Sequence, residues 1–324
     1  TRPRTLNIQF TVLLIISVLA FSVAKPIVLY GEQHKYKDKI IYQEQTRYQK
    51  IVVTQWKDNF WLFINGSTQF STYDEERYHE PLVHPVMGLL KEQKDILLLG
   101  AGDGLAAREI LKYPGVESLT LVDLDPAMTR LARQHEMFLR VNQGSLNDPR
   151  VRVHNKDAYQ FIKESSDLYD AIIIDLPDPK SVSLSLLYSL GFYKMIEKHL
   201  KPFGAMVTQS TSPLYSPEAF LCIKKTMQAA NFSTLPYQNS VPSMGQWGWV
   251  LGIREKTMPA NRLKKEVIAQ ESSGIETRFF NQNAMISMAN FGKGLFEKEE
   301  KIEPNTQFNH NILKYYRQGS WDLY

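Results

Sequence analysis

Residues 169–179 read "YDAIIIDLPDP": an apolar run of strand type that ends in Asp175 and is followed three residues later by Asp178, with Pro177 and Pro179 stiffening the turn. Two carboxylates delivered to the end of a buried strand make an acidic crevice, and such a crevice calls for a cationic partner. Paired carboxylates can hold magnesium, but a second group of residues points to an organic ligand. The stretch "LLLGAGDGLAARE" places a glycine-rich turn, with Gly100, Gly102 and Asp103, between an apolar strand and a helix, where backbone can approach a ligand closely and the helix N-terminus adds partial positive charge. The spacing is not G-x-G-x-x-G, and Asp103 would repel a pyrophosphate. The next strand ends "LVDLD", so Asp123 stands where an acidic residue hydrogen-bonds the two hydroxyls of a ribose. After the third strand comes "NKDAY", in which Asp157 could accept from an adenine amino group. Glycine turn, ribose acid and adenine acid at three successive strand ends suit an adenosyl ligand without phosphates. The competing reading makes these aspartates helix N-caps, a position that Asp favours.

The elements that must position these residues alternate along the chain. Apolar strands at "DILLLG", "SLTLVDL", "VRVHN", "YDAIIID" and "GAMVTQS" are separated by amphipathic stretches such as "LAAREILKY", "PAMTRLARQHEMF" and "AYQFIKES". The series closes with a helix at "EAFLCIKKTMQAA" and a late strand at "GWVLGI". This alternation predicts an α/β fold with a parallel, doubly wound sheet covered by helices on both faces. In such sheets ligands sit beyond the carboxyl ends of the strands, so Asp103, Asp123, Asp175 and Asp178 would share one crevice. Ahead of it, "YQKIVVTQW" and "NFWLFING", with Asn65-Gly66 as a hairpin signal, predict a small antiparallel sheet. The segment "DEERYHEPLVHPVMGLLKE" has helical spacing. The expected division is an apolar helix over 1–25, a small β domain over 40–75, the α/β domain over 76–254 and a polar extension with short helices over 255–324.

Composition agrees with a globular enzyme: 324 residues, 43% hydrophobic, 22% charged and a net charge of +4 with no long basic run, so nucleic acid is not a suggested partner. The single cysteine, Cys222, cannot form an internal disulfide and reads as a core thiol. Residues 8–24, "IQFTVLLIISVLAFSVA", carry no charge and follow Arg2 and Arg4. A signal peptide would have this basic start and a small-x-small end at Ser22 and Ala24. The excess of lysines after the run, Lys25, Lys35, Lys37 and Lys39, favours a membrane helix with a cytoplasmic C-terminal flank. Since the chain opens on Thr1, that helix is expected to be the last of a longer membrane region.

Taken in order, "RYQKIVV", "DEERYHE", "LLLGAGDG", "LVDLDP", "NKDAYQF" and "YDAIIIDLPDP" resemble the polyamine aminopropyltransferases, the spermidine and spermine synthase family, over about two thirds of the chain. The apolar N-terminal helix resembles a membrane-attached bacterial branch of it. The resemblance implies a β-structured N-terminal domain before a Rossmann-like, methyltransferase-type domain. It also implies transfer of an aminopropyl group from decarboxylated S-adenosylmethionine to an amine such as putrescine, giving spermidine and methylthioadenosine. Carried onto this sequence, it makes Asp175 the catalytic carboxylate and Asp178 the holder of the amine. Gln49 becomes a donor-binding glutamine, and Tyr78 and His79 line the acceptor channel. Asp103 would bind the aminopropyl end of the donor, in the turn with Gly100 and Gly102; Asp123 would bind the ribose, and Asp157 with Ala158 the adenine. Two departures fall on the acceptor side: the loop continues "DPKSVSL", and "SVPSMGQWGW" lacks a tyrosine often found there, offering Pro242 and Trp247. No permanent cofactor and no metal are expected. The expected partners are the polyamine, the adenosyl donor and, through the N-terminal helix, the cell membrane, with the catalytic part facing the cytoplasm; homo-oligomerisation is left open. Two other readings stay open, an S-adenosylmethionine-dependent methyltransferase on the same fold and a non-catalytic polyamine-sensing domain.

Overall fold

The computed structural model describes residues 2–270 and 274–323. Two compact units are distinguished: Thr1–Gln45 with Lys50–Gln69, and Thr46–Gln49 with Phe70–Tyr324. The first contains the helix Arg2–Gln33 and a four-stranded antiparallel sheet, β1 (Lys39–Gln45), β2 (Lys50–Trp56), β3 (Asn59–Ile64) and β4 (Ser67–Ser71), in that spatial order. Asn65 and Gly66 both take positive φ, 51° and 81°, as the tight hairpin between β3 and β4 requires.

The membrane expectation is corrected here. Residues 8–19 do lie within the long helix, but among the described residues no helix is long and apolar enough to cross a membrane. The physical reason is the short apolar stretch: residues 8–24 are 17 in number and include Gln9, Thr11, Ser17 and Ser22, against the ~20 predominantly apolar residues that a hydrocarbon core needs. Placement in the cell membrane is therefore withdrawn, along with the membrane as a partner. Thr1, and the side chains of Arg2, Arg4, Ser22, Ala24 and Lys25 on which the flank comparison rested, lie outside the described residues.

The second unit is built on seven strands: β5 (Asp95–Gly100), β6 (Ser118–Asp123), β7 (Val151–Asn155), β8 (Tyr169–Asp175), β9 (Leu200–Gln209), β10 (Phe232–Val241) and β11 (Gly245–Arg254). Their spatial order is β10-β11-β9-β8-β5-β6-β7. The pairs β5–β6, β6–β7, β5–β8 and β8–β9 are parallel, whereas β11 is antiparallel to both β9 and β10, so among these strands β11 alone is reversed. The chain reverses its direction of travel across the sheet between β5 and β8, which makes their carboxyl ends the topological switch point. Leu97, Leu98, Leu99, Ile172, Ile173 and Ile174 are fully buried there, as a sheet covered on both faces demands. Cys222 is a core thiol: burial pushes it up to about 12.

The helix Glu76–Leu89 carries the "RYHE" residues and contains Pro81 and Pro85. Each proline removes an N–H that would have met the carbonyl four residues earlier, namely those of Arg77 and Pro81. Strand β10 supplies the missing donors: Asn239 Nδ2 donates to the Arg77 carbonyl at 2.8 Å and Tyr237 Oη donates to the Pro81 carbonyl at 2.8 Å. Asp74, just before the helix, accepts from Ser243 N at 2.6 Å and Ser243 Oγ at 2.7 Å, in the β10–β11 turn. The chain beyond Arg254 is also tied in. Buried Glu80 accepts the backbone N–H groups of Arg278, Phe279 and Phe280 at 2.8, 2.8 and 2.7 Å. Asn305, likewise buried, donates to the Ser185 carbonyl at 2.8 Å.

Replacing Tyr237 by Phe should leave the buried Pro81 carbonyl without its donor and cost about 1–3 kcal/mol of stability. Urea denaturation of the two proteins measures it, and a variant as stable as the parent would remove β10 from the support of this helix.

Candidate active site

The turn after β5 exists because of its glycines. Gly100 has φ +84°, and a Cβ there would lie 2.0 Å from the carbonyl oxygen of Asp175, its register partner on β8. Only glycine lets the two strand ends close to this distance. Gly102 is pressed against the next strand end in the same way: its N–H donates to Asp123 Oδ2 at 3.0 Å, and a Cβ would meet that carboxylate at 2.5 Å. Asp123 also accepts from Asp125 N at 2.9 Å through Oδ1. Asp103 accepts from Leu105 N at 2.8 Å and is almost wholly buried.

These carboxylates sit in poor dielectric. Burial pushes Asp175 up to about 6, against the opposing pull of the His79 charge and of the Tyr78 hydroxyl, which donates to Asp175 Oδ1 at 2.5 Å. Asp123 is likewise pushed up to about 6 by burial, with the charge of Asp103 adding to the effect. Asp103 is raised too, again by burial, and His79 opposes that rise. His79 is thus the cation that Asp103 and Asp175 share. Burial disfavours its charge, but Glu75 outweighs burial and holds the ring up at about 9. Nδ1 lies 3.1 Å from Glu75 Oε2 and 2.9 Å from the Glu75 carbonyl. Glu75 in turn is held down at about 2, burial notwithstanding, by His79 and by Arg108, whose Nη2 donates to Oε2 at 2.9 Å. Arg108 Nε continues to Glu109 at 2.9 Å, and Glu109 meets His84 Nε2 at 2.9 Å.

Asp178 lies one turn beyond Asp175. Its Oδ2 accepts from Tyr316 Oη at 2.9 Å, and Oδ1 has a long contact of 3.4 Å with Gln209 Nε2. Burial raises Asp178, with Lys180, Tyr316 and Gln209 opposing. Gln209, at the end of β9, also donates to the Leu176 carbonyl at 2.7 Å and to Tyr188 Oη at 2.6 Å, and it accepts from Trp247 Nε1 at 3.3 Å. Thr211 is a β-branched residue held at φ 55°, and its N–H donates to Gln209 Oε1 at 2.9 Å. Strain of this kind is kept where the surroundings over-determine it.

The structure therefore brings together Tyr78, His79, Gly100, Gly102, Asp103, Asp123 and Asp175, with Asp178 beside them. Gln49 belongs to the turn Thr46–Gln49, which is fastened when Thr46 Oγ1 donates to Asp125 Oδ2 at 2.8 Å, next to Asp123 in the chain. Asp157 is exposed and caps the helix Ala158–Glu164 through Oδ1, 2.9 Å from Gln160 N; the cap leaves its second oxygen unused. Ala158 beside it is buried. Of the capping alternative, Asp157 thus takes the role, whereas the helix after β6 is capped by Asp125 and not by Asp123. Pro242 lies in the β10–β11 turn. Sequence reasoning missed Glu75, Arg108, Gln209, Tyr188 and Tyr316. A signal for Glu75 was present, an acid four residues before His79 in a segment of helical spacing, where the two side chains share one face. Among the described residues no group of three His, Cys, Asp or Glu is placed to hold a metal ion.

A glycine turn and three strand-end acids at the switch point of this sheet define a class, and comparison with known families identifies it: residues 75–265 match the spermine/spermidine synthase domain, and the chain belongs to that family. Over 295 residues, 90% of this chain and 56% of the relative, it is 40% identical to the polyamine aminopropyltransferase of Oceanobacillus iheyensis. It is 38% identical over 311 residues to that of Leptospira interrogans, covering 96% of this chain and 60% of the relative. The chain thus spans little more than half the length of these curated relatives. Among solved structures, the spermidine synthase of Thermotoga maritima shares the fold with a TM-score of 0.70 at 24% identity, over 82% of this chain and 88% of that one. A spermidine synthase in complex with the transition-state analogue AdoDATO gives 0.71 at 24% identity, over 82% and 89%.

The His79–Glu75 pair has a pH signature. A His raised from 6.5 in the unfolded chain to about 9 in the fold contributes stability that is complete below pH 6.5 and lost as pH rises through 9. The stability difference between the parent and His79→Gln should therefore be largest near pH 6 and close progressively toward pH 9, as read from melting temperatures across that range. A constant difference would show that the ring acts through packing alone.

Proposed function

We propose that the protein transfers an aminopropyl group from decarboxylated S-adenosylmethionine to a polyamine acceptor such as putrescine, releasing methylthioadenosine. The observation that carries this reading is the pairing of Asp175 with Tyr78 beside buried Asp103 and the His79 cation, at the switch point of a sheet whose family acts on polyamines. On this reading residues 76–254 are the catalytic domain, 40–75 a small β domain ahead of it and 255–324 an extension.

A sulfonium is an activated leaving group and needs no proton; the amine is the obstacle. With an unperturbed pKa near ~10.4, freeing its lone pair at neutral pH costs about 4–5 kcal/mol. Asp175 takes the proton from the attacking nitrogen. The nitrogen forms a bond to the aminopropyl carbon attached to sulfur, that carbon–sulfur bond breaks, and its electron pair neutralises the sulfonium as methylthioadenosine leaves. Burial serves this step, because a carboxylate pushed up to about 6 is a better base than an exposed one and is still ionised at neutral pH. Tyr78, donating to Oδ1, fixes the carboxylate and leaves Oδ2 for the amine. Asp178 grips the amine farther along. Asp103 attracts the ammonium of the donor chain and repels the α-carboxylate of ordinary S-adenosylmethionine. Gly102, Asp123 and Gln49 take the ribose side, and Asp157 with Ala158 the adenine. The donor is a co-substrate, and no resident cofactor enters the scheme.

Incubation with decarboxylated donor and a panel of di- and triamines, followed by detection of methylthioadenosine, tests the reading directly; no product with any amine would sink it. Turnover should fall about tenfold per pH unit below about 6, where Asp175 becomes protonated. Asp175→Asn should lower kcat by roughly 10²–10⁴ with donor affinity nearly unchanged. Asp103→Asn should weaken the decarboxylated donor far more than methylthioadenosine in calorimetry, since only the former carries the charged chain.

A further inference from the structure

Asp178 stands half-buried on a turn between two prolines, outside any strand or helix that would fix its side chain. It is nevertheless held, and the holding group comes from far away: Tyr316 Oη, 138 residues on, donates to Oδ2 at 2.9 Å. Tyr316 is only 7% exposed and belongs to the short helix Asn311–Arg317 of the C-terminal extension. Several independent contacts fix that helix. Asn305 donates to the Ser185 carbonyl at 2.8 Å and accepts from Ile312 N at 3.3 Å, while its own N–H reaches Thr226 Oγ1 at 2.8 Å. His310 Nδ1 pairs with Ser185 Oγ at 2.8 Å. On the far side, Trp321 Nε1 donates to the Tyr316 carbonyl at 2.8 Å, and its ring packs on the Tyr316 ring with centroids 4.5 Å apart. An extension of polar composition has thus been folded back so that one phenol arrives at one carboxylate.

We propose that the C-terminal extension is a working part of the amine end of the site, with Tyr316 as the positioning residue that orients Asp178 toward the distal ammonium of the acceptor. The inference rests on the aminopropyl-transfer reading above. With Oδ2 engaged by the phenol, Oδ1 has among the described residues only the 3.4 Å contact from Gln209, so it is the oxygen with capacity to accept a charge-assisted hydrogen bond. Gln209 cannot take over the phenol's task, because its two amide hydrogens are committed to the Leu176 carbonyl and to Tyr188 Oη at 2.7 and 2.6 Å. Loss of the Tyr316 hydroxyl would leave Asp178 free to turn, and an amine would then have to order the carboxylate as it binds.

Steady-state kinetics with the whole chain tests this, using Tyr316→Phe, Asp178→Asn and the double variant, with Tyr315→Phe as the control that removes a hydroxyl from the same helix away from Asp178. Tyr316→Phe should raise the amine KM about tenfold, as expected for a hydrogen bond to a charged group. Its kcat at saturating amine and its donor KM should stay within about twofold. In the Asp178→Asn background the same change should add little, because both variants act on one contact. Tyr315→Phe should match the parent. An amine KM unchanged in Tyr316→Phe, or full additivity with Asp178→Asn, would overturn the role while leaving aminopropyl transfer intact. Equal losses in donor and amine KM accompanied by a lowered melting temperature would assign Tyr316 to stability alone. A parent chain that forms no methylthioadenosine with any amine would instead remove the transfer reading, and the role of Tyr316 with it.

Discussion

Asp103 and Asp175, both raised by burial, would repel one another without a cation beside them. In this protein that cation is His79, and His79 is charged because Glu75 makes it so. Everything behind the pair serves the same end. Arg108 also binds Glu75, Glu109 answers the charge of Arg108, and His84 with Lys112 closes the series on Glu109. A buried ion pair contributes little net stability when weighed against an apolar core. What this chain of charges provides is a fixed positive group facing Asp103 and Asp175, with no counter-charge left unpaired behind it. The acids can then remain partly ionised near neutrality, which is the condition for any proton-accepting or cation-binding role.

The position of that cation depends on a helix that is locally poor. Pro81 and Pro85 remove two rungs of its hydrogen-bond ladder, and its free carbonyls would be costly inside the fold. Strand β10 repairs both defects with Asn239 and Tyr237, and Asp74 ties the helix start to the turn that follows β10. The two prolines thus leave two carbonyls that side chains of β10 satisfy, which favours the register in which this helix lies against the β10–β11 hairpin. That register places Tyr78 against Asp175 and His79 beside it. Rigid placement of this kind is what a site needs when its groups must meet a substrate within a fraction of an ångström.

What was legible in the sequence follows from which forces act locally. The parallel strands were readable because strands buried on both faces must be apolar throughout, as "DILLLG" and "YDAIIID" are. The Asn65-Gly66 hairpin was readable because few residues accept positive φ at both turn positions. Strand β10 escaped notice: "FSTLPYQNSV" is an edge strand with a central proline, and it is in place because of the tertiary partners just described. The apolar run at 8–24 misled in the opposite direction, since absence of charge was weighed above length. Helix ends also moved. "PAMTRLARQHEMF" is broken at His135, whose ring caps the second piece.

The same division runs through the site. Gly100, Gly102, Asp103, Asp123, Asp157 and Asp175 all lie at the ends of the parallel strands or just beyond them, so a motif read along the chain is also a motif in space. The surroundings of Asp178 are different. Gln209 comes from 31 residues away and Tyr316 from 138, and neither stands in a recognisable local pattern. A half of the site assembled from distant segments can change by altering one segment while the strand-end half stays intact. The two departures expected from the sequence resemblance, the loop after Asp178 and the turn carrying Pro242, fall on this side of the site and not among the strand-end acids. The Asp178 half is the one in contact with the extension beyond Arg254. Differences in what such a protein accepts are therefore to be sought in the packing of that extension on Asp178, because the geometry of the strand ends leaves almost no room for variation at Gly100 and Gly102.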